Sequence, residues 1–364
     1  MDNKLSQIRD SYKSLKCQGL FITNQNNVSY LTGFSGLSPN EREGFFFITN
    51  NNAFLLTFPT YYGLYRQGGT GFSTLCITPK KKISQILNEL IKKEKIESLA
   101  VEKNNLTLGE YESLKSKIKT RFYPSDNLVE KLRIIKNKQE INFIHRAALI
   151  TDQAFSFIKN KLITNVTEKE IALELEFFLK KKASDIAFNP IVAFGKNSAI
   201  PHYLPSDKVK LANQNLILLD FGAKFNGYCS DMTRVIFQKT PSNRMGNIYQ
   251  TVLTAQTSGL EKINKGYSLA TPDIVARKYI ENKGFIPYFH SFGHGVGLEV
   301  HESPRLKKDS KELFSENMVV TAEPGIYIEG EGGIRIEDLV LLKGNGYEIL
   351  SRSPKSLKES ILNI

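Results

Sequence analysis

Leu216-Ile217-Leu218-Leu219-Asp220-Phe221-Gly222-Ala223-Lys224-Phe225-Asn226-Gly227-Tyr228-Cys229-Ser230-Asp231-Met232-Thr233-Arg234-Val235-Ile236-Phe237 is the stretch on which the fold of this chain turns. Two strand-like apolar runs flank Asn226-Gly227, the strongest short signal for a two-residue hairpin loop. With those residues in the loop, Phe225 pairs with Tyr228, position 220 lies opposite 233, and 222 lies opposite 231. Side chains alternate faces with period two. Asp220 and Asp231 therefore share a face as diagonal neighbours, with Cβ atoms on the order of 7 Å apart. A lone aspartate in a strand is ordinarily a solvated acid. Asp220, however, ends the run Leu216-Ile217-Leu218-Leu219, which reads as buried. A buried carboxylate must be paired, hydrogen-bonded or metal-bound, and two of them on one face can bracket cations.

Three further stretches carry polar groups of the same kind. In Gly293-His294-Gly295-Val296-Gly297-Leu298-Glu299-Val300-His301-Glu302 the glycines invite comparison with a dinucleotide fingerprint, but Leu298 stands where the third glycine belongs and no strand-to-helix context follows. Glycines beside a histidine are instead expected to let backbone approach a ligand closely. Three of the five histidines, His290, His294 and His301, fall within twelve residues, which favours a site over isolated structural roles. Glu323 ends the apolar run Val319-Val320-Thr321-Ala322 before a Pro-Gly turn. In Gly333-Ile334-Arg335-Ile336-Glu337-Asp338, Arg335 and Glu337 share one strand face, where a simple cross-strand ion pair is the competing reading. Four carboxylates and one imidazole form an oxygen-rich set suited to Mn²⁺ and other first-row divalent ions rather than to a structural Cys-rich zinc site. Two cations about 3.5–4 Å apart can activate a water and polarise a carbonyl.

The rest of the chain bounds the class. At 364 residues, a length prior of roughly 150 residues per domain suggests two domains. Residues 1–125 read as an alternating α/β unit. It has strands at 20–23, 45–49, 53–58 and 98–101, a hairpin at Asn50-Asn51-Asn52, and a helix over 83–93. The turn formers Tyr123-Pro124-Ser125-Asp126 mark the boundary. The second unit, 126–364, opens with a helical pattern over 128–161 carrying Leu132, Ile141, Ile144, Ala148 and Phe155 on its apolar positions. Thr167 with Glu170 forms a capping box. A further helix starts near Thr271, with Pro272 in its first turn and Gly284 past its end. The expected class is α+β. Hydrophobic content of 41% excludes disorder. No apolar run approaches the roughly 20 residues that span a bilayer, and Met1–Lys16 lacks the apolar core of a secretory signal. A cytoplasmic protein without membrane association is expected. Three scattered cysteines argue against a disulfide framework. The net charge of +12 is Lys scattered along helical stretches, read as a solvated surface rather than a nucleic-acid interface.

The order Asp220…Asp231…His294…Glu323…Glu337 resembles the metal ligands of the pita-bread metallopeptidases, and within them the Xaa-Pro aminopeptidase (aminopeptidase P) and prolidase branch. Asn27-Val28-Ser29-Tyr30-Leu31-Thr32-Gly33-Phe34 looks like the creatinase-type N-terminal domain, and Leu132–Glu140 like the entry to the catalytic domain. The resemblance implies a pita-bread C-terminal domain behind an α/β creatinase-type N-terminal domain. Two divalent ions are implied, Mn²⁺ first, with Co²⁺ or Zn²⁺ as alternatives. It implies that Asp220 binds one ion, that Asp231 and Glu337 bridge, and that His294 and Glu323 hold the other ion. It further implies that Glu323 takes the proton of the attacking water and that His301 contacts the scissile carbonyl. His202 lies near the substrate, His290 meets the proline side, and Tyr327 and Arg335 orient the cluster. The activity so implied is release of the residue before proline from short proline-containing peptides, as an Xaa-Pro aminopeptidase. The alternative is an Xaa-Pro dipeptidase, and a further one a metal-free interaction protein on the same fold. A homodimer is expected. Two departures stand out. Phe292 replaces the threonine usual before Gly-His and is expected to narrow the pocket. Thr57-Phe58-Pro59-Thr60 replaces an Asp-x-Arg-Tyr stretch in a region that bears on oligomer contacts.

Overall fold

Leu20 and Ile22 face one apolar core together with Phe46 and Ile48, while Phe21 and Phe47 face a second. This period-two alternation builds a sheet buried on both sides. Its six strands run in the order Ser73–Cys76, Ala53–Thr57, Gly44–Thr49, Gly19–Ile22, Ser98–Glu102 and Arg121–Ser125. The computed structural model describes residues 2–38, 41–212 and 214–362. They fall into two compact units, Met1–Arg133 and Ile134–Ile364, of which this sheet belongs to the first.

The expected boundary at 125/126 lies inside that unit. Tyr123, Pro124 and Ser125 are not a turn but part of the edge strand Arg121–Ser125, paired in parallel with Ser98–Glu102. Proline is tolerated there because an edge strand has one row of backbone donors that no neighbour needs.

In the second unit the helical pattern over 128–161 is broken. A short helix, Glu130–Arg133, ends with the first unit, and the long one runs Lys138–Lys159. Between them Ile135 forms a bridge with Met318, and Lys136 N–H donates to Asn317 O at 3.0 Å. Asn137 then caps the new helix, accepting from the N–H groups of Gln139 and Glu140. The amphipathic spacing runs across the break, so periodicity alone does not reveal it.

The Lys138–Lys159 and Glu168–Lys182 helices cover one face of a three-stranded sheet formed by Ile191–Phe194, Leu216–Phe221 and Met232–Phe237. Ile217, Leu219 and Phe221 point to that side. Leu216, Leu218, Val235 and Phe237 point to the other, into a core shared with the Asn243–Leu260 and Thr271–Asn282 helices. By the same alternation Asp220, Asp231 and Thr233 belong to this second face. A five-stranded antiparallel sheet, Glu302–Leu306, Gly293–Gly295, Val319–Ala322, Asp338–Leu342 and Tyr347–Ile349, a small sheet of Tyr228–Cys229, Ala223–Phe225 and Asp185–Ile186, and the hairpin Gly325–Ile328 with Gly332–Arg335 also belong to the unit. Among the described residues no helix is long and apolar enough to cross a membrane.

Phe292 does not narrow a pocket. It is fully buried in the core shared with the Asn243–Leu260 and Thr271–Asn282 helices, with its ring against the former at Gly259. A Cβ at Gly259 would lie 2.3 Å from Phe292 Cζ. Gly259→Ala is therefore expected to destabilise the fold by about 1–3 kcal/mol, the usual cost of overpacking, despite the better helix propensity of alanine. Thermal unfolding of the two chains measures it. An unchanged or raised midpoint would mean that the ring moves aside freely.

Candidate metal centre

The hairpin forms in the expected register. Asn226 and Gly227 both have positive φ, 47° and 83°, the geometry of a two-residue type I′ turn. Phe225 pairs with Tyr228 and Asp220 lies opposite Thr233. Gly222 is required between them, since a Cβ there would come within 1.9 Å of Ser230 O. Asp220 and Asp231 are brought together on the inner face, both buried.

The second stretch contributes His294 from the strand Gly293–Gly295. Its glycines serve packing rather than ligand approach. A Cβ at Gly293 would meet Thr321 O at 1.9 Å, and one at Gly295 would meet Ser303 O at 2.2 Å. The His294 strand thus lies hard against its two neighbours. Glu323 follows Val319–Ala322 directly, its N–H held by Phe292 O at 2.8 Å. Glu337 sits between Gly332–Arg335 and Asp338–Leu342, its N–H donating to Thr233 O at 3.2 Å.

These elements converge. Asp220, Asp231 and Glu337 form one triad of donors; His294, Glu323 and Glu337 form a second; Asp231, His294 and His301 form a third. Within each, one ligand atom per residue lies within 4.8 Å of the others. Asp231, His294 and Glu337 each belong to two of the triads, so the three overlap in one cluster. Asp220 Oδ1, Asp231 Oδ1 and Glu337 Oε1 are buried without a hydrogen-bond partner. Orphaned carboxylate oxygens are costly in a protein interior, and three of them on carboxylates that form one such triad fit a divalent cation.

The other oxygens of Asp220 and Glu337, and Glu323 Oε1, are tied down. Arg335 Nη2 reaches Asp220 Oδ2 at 2.5 Å, its Nη1 donates to the Tyr327 hydroxyl at 3.0 Å, and its Nε donates to Thr233 Oγ1 at 3.0 Å. Thr233 in turn donates to Glu337 Oε2 at 2.7 Å. Thr321 Oγ1 receives the His294 N–H at 3.0 Å and donates to Glu323 Oε1 at 3.2 Å. Motif reading singles out neither Thr233 nor Thr321. For Thr233 a signal exists, because the hairpin register puts it opposite Asp220 and on the face of Asp231.

Electrostatics separate the carboxylates. Burial, then the neighbouring carboxylates, push Asp231 and Glu337 well above the usual range. Burial also raises Asp220, against the opposing Arg335 charge. For Glu323 burial acts upward too, but the hydrogen bond and charge of His294, with His290 and Arg335, outweigh it and hold the group at about 2. His294 Nε2 lies 3.1 Å from Glu323 Oε1 and 3.7 Å from Asp231 Oδ2.

The outer histidines follow. The His301 ring stands edge-on to His294 with centroids 4.4 Å apart. Burial and then the His294 charge lower it to about 4, with His202 a further contributor. His290 Nδ1 meets the Ser291 carbonyl at 2.9 Å and must donate there, so in the neutral ring Nε2 accepts from the Tyr327 hydroxyl at 3.0 Å. Burial lowers His290 as well. The segment bearing His290 is held by Arg277, which donates to Tyr288 O and His290 O at 2.6 Å each and is itself fixed by Asp273. His202 is exposed, on a loop anchored by Glu168. That buried carboxylate accepts from Phe194 N–H at 2.7 Å, Asn197 Nδ2 at 2.9 Å and Ser206 N–H at 3.1 Å. Nothing in the sequence beside the Thr167–Glu170 cap marks Glu168, and only its burial reveals the role.

Comparison with known proteins gives the family. The profile of metallopeptidase family M24 matches residues 142–344, and that of the creatinase/prolidase N-terminal domain matches residues 4–135. The chain is 34% identical over 360 residues to an Xaa-Pro dipeptidase of Pyrococcus horikoshii, covering 98% of this chain and 99% of the relative. It is similar to the solved structure of an Xaa-Pro dipeptidase from Bacillus anthracis, with a TM-score of 0.92, 36% identity and coverage of 98% of each chain. It is also similar to an X-Pro aminopeptidase from Thermotoga maritima, with a TM-score of 0.85, 33% identity and coverage of 95% and 99%.

Proposed function

The chain belongs to metallopeptidase family M24, and from that premise we propose that it cleaves the bond before proline in short peptides, with Xaa-Pro dipeptides as its main substrates. The observation that carries the reading is the set of three buried, unpartnered carboxylate oxygens on Asp220, Asp231 and Glu337, beside His294 and Glu323. In this reading Asp220 would help hold one divalent ion, His294 and Glu323 another, and Asp231 and Glu337 would serve both. Mn²⁺ suits so oxygen-rich a set. When bound, the ion pair lowers the pKa of a water and polarises the carbonyl to be attacked.

The chain's own residues do the rest. Glu323, ionised at neutral pH, accepts a proton from the attacking water. The proline nitrogen receives that proton as its bond to the carbonyl carbon breaks. His301, neutral above about pH 4, has an N–H to offer the negative charge that develops on the carbonyl oxygen; losing one such donor typically costs about a hundredfold or more. His290, whose ring is oriented by Tyr327 and the Ser291 carbonyl, meets the proline side. An X–Pro bond lacks the amide N–H that strand-like docking uses, so recognition falls to such side chains. His202 reaches the substrate from the outer loop.

The sequence resemblance by itself implies the aminopeptidase first. Two of the three relatives above are named Xaa-Pro dipeptidases and one X-Pro aminopeptidase, which supports the dipeptidase reading over it. Gly-Pro and Arg-Pro-Pro separate the two. With Mn²⁺ present, kcat/KM is expected to be at least about tenfold higher for the dipeptide, a difference worth about 1.4 kcal/mol in the transition state. Efficient release of Arg from the tripeptide, with little cleavage of Gly-Pro, would return the assignment to the aminopeptidase.

A further inference from the structure

Gln256 lies on the Asn243–Leu260 helix and is fully buried, at 0% exposure. Its helix neighbours Val252, Ala255 and Leu260 belong to an apolar core. An amide in such surroundings costs free energy unless every polar atom is bonded, and this one is. Nε2 donates to Ala322 O at 3.0 Å and to Ile336 O at 3.1 Å. Oε1 accepts from Lys355 Nζ at 2.7 Å. The two carbonyls belong to the residues that directly precede Glu323 and Glu337.

We propose that Gln256 is a positioning residue that sets the separation of Glu323 and Glu337, and through it the affinity for the second divalent cation; the proposal rests on the metal centre inferred above. The two donors of one planar NH₂ group have a fixed angle between them. Bound to the carbonyl of Ala322, which ends one strand, and to that of Ile336, in the link between Gly332–Arg335 and Asp338–Leu342, they lock those two segments at one spacing, immediately before Glu323 and Glu337. No apolar side chain of the same size can do this. The clamp is braced from behind. Lys355 also pairs with Asp338, and Asp338 Oδ1 receives Arg234 Nη2 at 2.7 Å. Arg234 Nη1 donates to Glu337 O at 2.5 Å and to Thr233 O at 3.0 Å. Every member of this chain is tied to main chain next to Glu337 or to a partner that is. Groups of this kind behind metal ligands typically govern affinity by about 10–100-fold, roughly the range expected of Gln256.

The test is a calorimetric titration of metal-stripped full-length chain with Mn²⁺, comparing the unmodified protein, Gln256→Met and Val252→Ala. Val252 lies one turn before Gln256 in the same core, and its truncation lowers stability without touching either carbonyl. Gln256→Met is expected to weaken the lower-affinity binding event about 10–100-fold, while Val252→Ala lowers the unfolding midpoint and leaves both affinities unchanged. Unchanged affinities in Gln256→Met, or an equal loss in Val252→Ala, would overturn the proposal and leave the metal centre standing. An unmodified chain that takes up no Mn²⁺ would overturn both. If Gln256→Met does not fold, Gln256→Glu is read in the same way, since it removes both donors and keeps the Lys355 contact.

Discussion

Glu323→Gln is expected to lower kcat about 10³-fold or more, the loss typical when a positioned proton acceptor is removed, while the chain keeps its fold. The replaced oxygen is shared between His294 and Thr321, and the side chain is only 15% exposed. An amide of the same shape leaves the packing intact, and the backbone bond to Phe292 O is untouched. What the amide lacks is the negative charge that receives a proton and helps hold an ion. Asp220→Ala is a less clean choice for the same question, because it leaves the buried Arg335 guanidinium without its closest acid. Hydrolysis of Gly-Pro with added Mn²⁺, together with the circular dichroism of the variant, measures the effect. Activity within about tenfold of the unmodified chain, a barrier change of only about 1.4 kcal/mol, would remove Glu323 from the chemistry.

Asp231→Asn should make the metal-free chain more stable at neutral pH and abolish its stabilisation by Mn²⁺. Asp231 is buried, has one oxygen without a partner, and faces Glu337, Asp220 and Glu323. Its ionisation, like that of Glu337, is disfavoured in the fold. A carboxyl whose folded pKa lies above its unfolded value binds more protons folded than unfolded. The fold therefore loses stability as pH rises from about 4, the unfolded value, through the raised folded values. Glu323 acts in the opposite sense, but its window lies between about 2 and about 4, below the range over which Asp231 and Glu337 ionise. A divalent ion supplies the missing positive charge. At a thousand times its Kd it adds about 4 kcal/mol, which for a unit of this size is a rise in Tm on the order of 10 °C. The rise is expected to be larger at a pH of about 7.5 than at about 5.5, where protons compete for the same oxygens. Melting curves with Mn²⁺ and with a chelator, at both pH values, measure it. A variant stabilised by Mn²⁺ as strongly as the unmodified chain would contradict the assignment of Asp231.

The hairpin is legible because a two-residue Asn-Gly loop determines register, and register determines face; the parity that joins Asp220 to Asp231 follows without any tertiary information. Glu323 and Glu337 are a different matter. Each ends or interrupts an apolar strand, but their meeting with His294 depends on how three hairpins stack, and only the resemblance of the whole ligand order foretells it. Misreadings arise where sequence says what a residue is and not which way it points. Phe292 precedes Gly293-His294, yet its ring turns into the core over Gly259. Gly293 and Gly295 flank a histidine, yet they yield space to Thr321 and Ser303. The Asn243–Leu260 helix goes unannounced because Gly246, Gly259 and several threonines dilute its pattern. It is stabilised by burying Ile248, Tyr249, Val252 and Ala255 rather than by propensity. The break at 134–137 is set by pairing with Met318 and Asn317, partners far along the chain.

Crystals of the chain grown with Mn²⁺, with diffraction measured across the manganese absorption edge, bear most directly on the central claim. Two anomalous peaks about 3.5–4 Å apart are expected, with Asp231 and Glu337 contacting both, Asp220 contacting one, and His294 and Glu323 the other. An absence of anomalous density among these five side chains, at a Mn²⁺ concentration that supports hydrolysis, would contradict it.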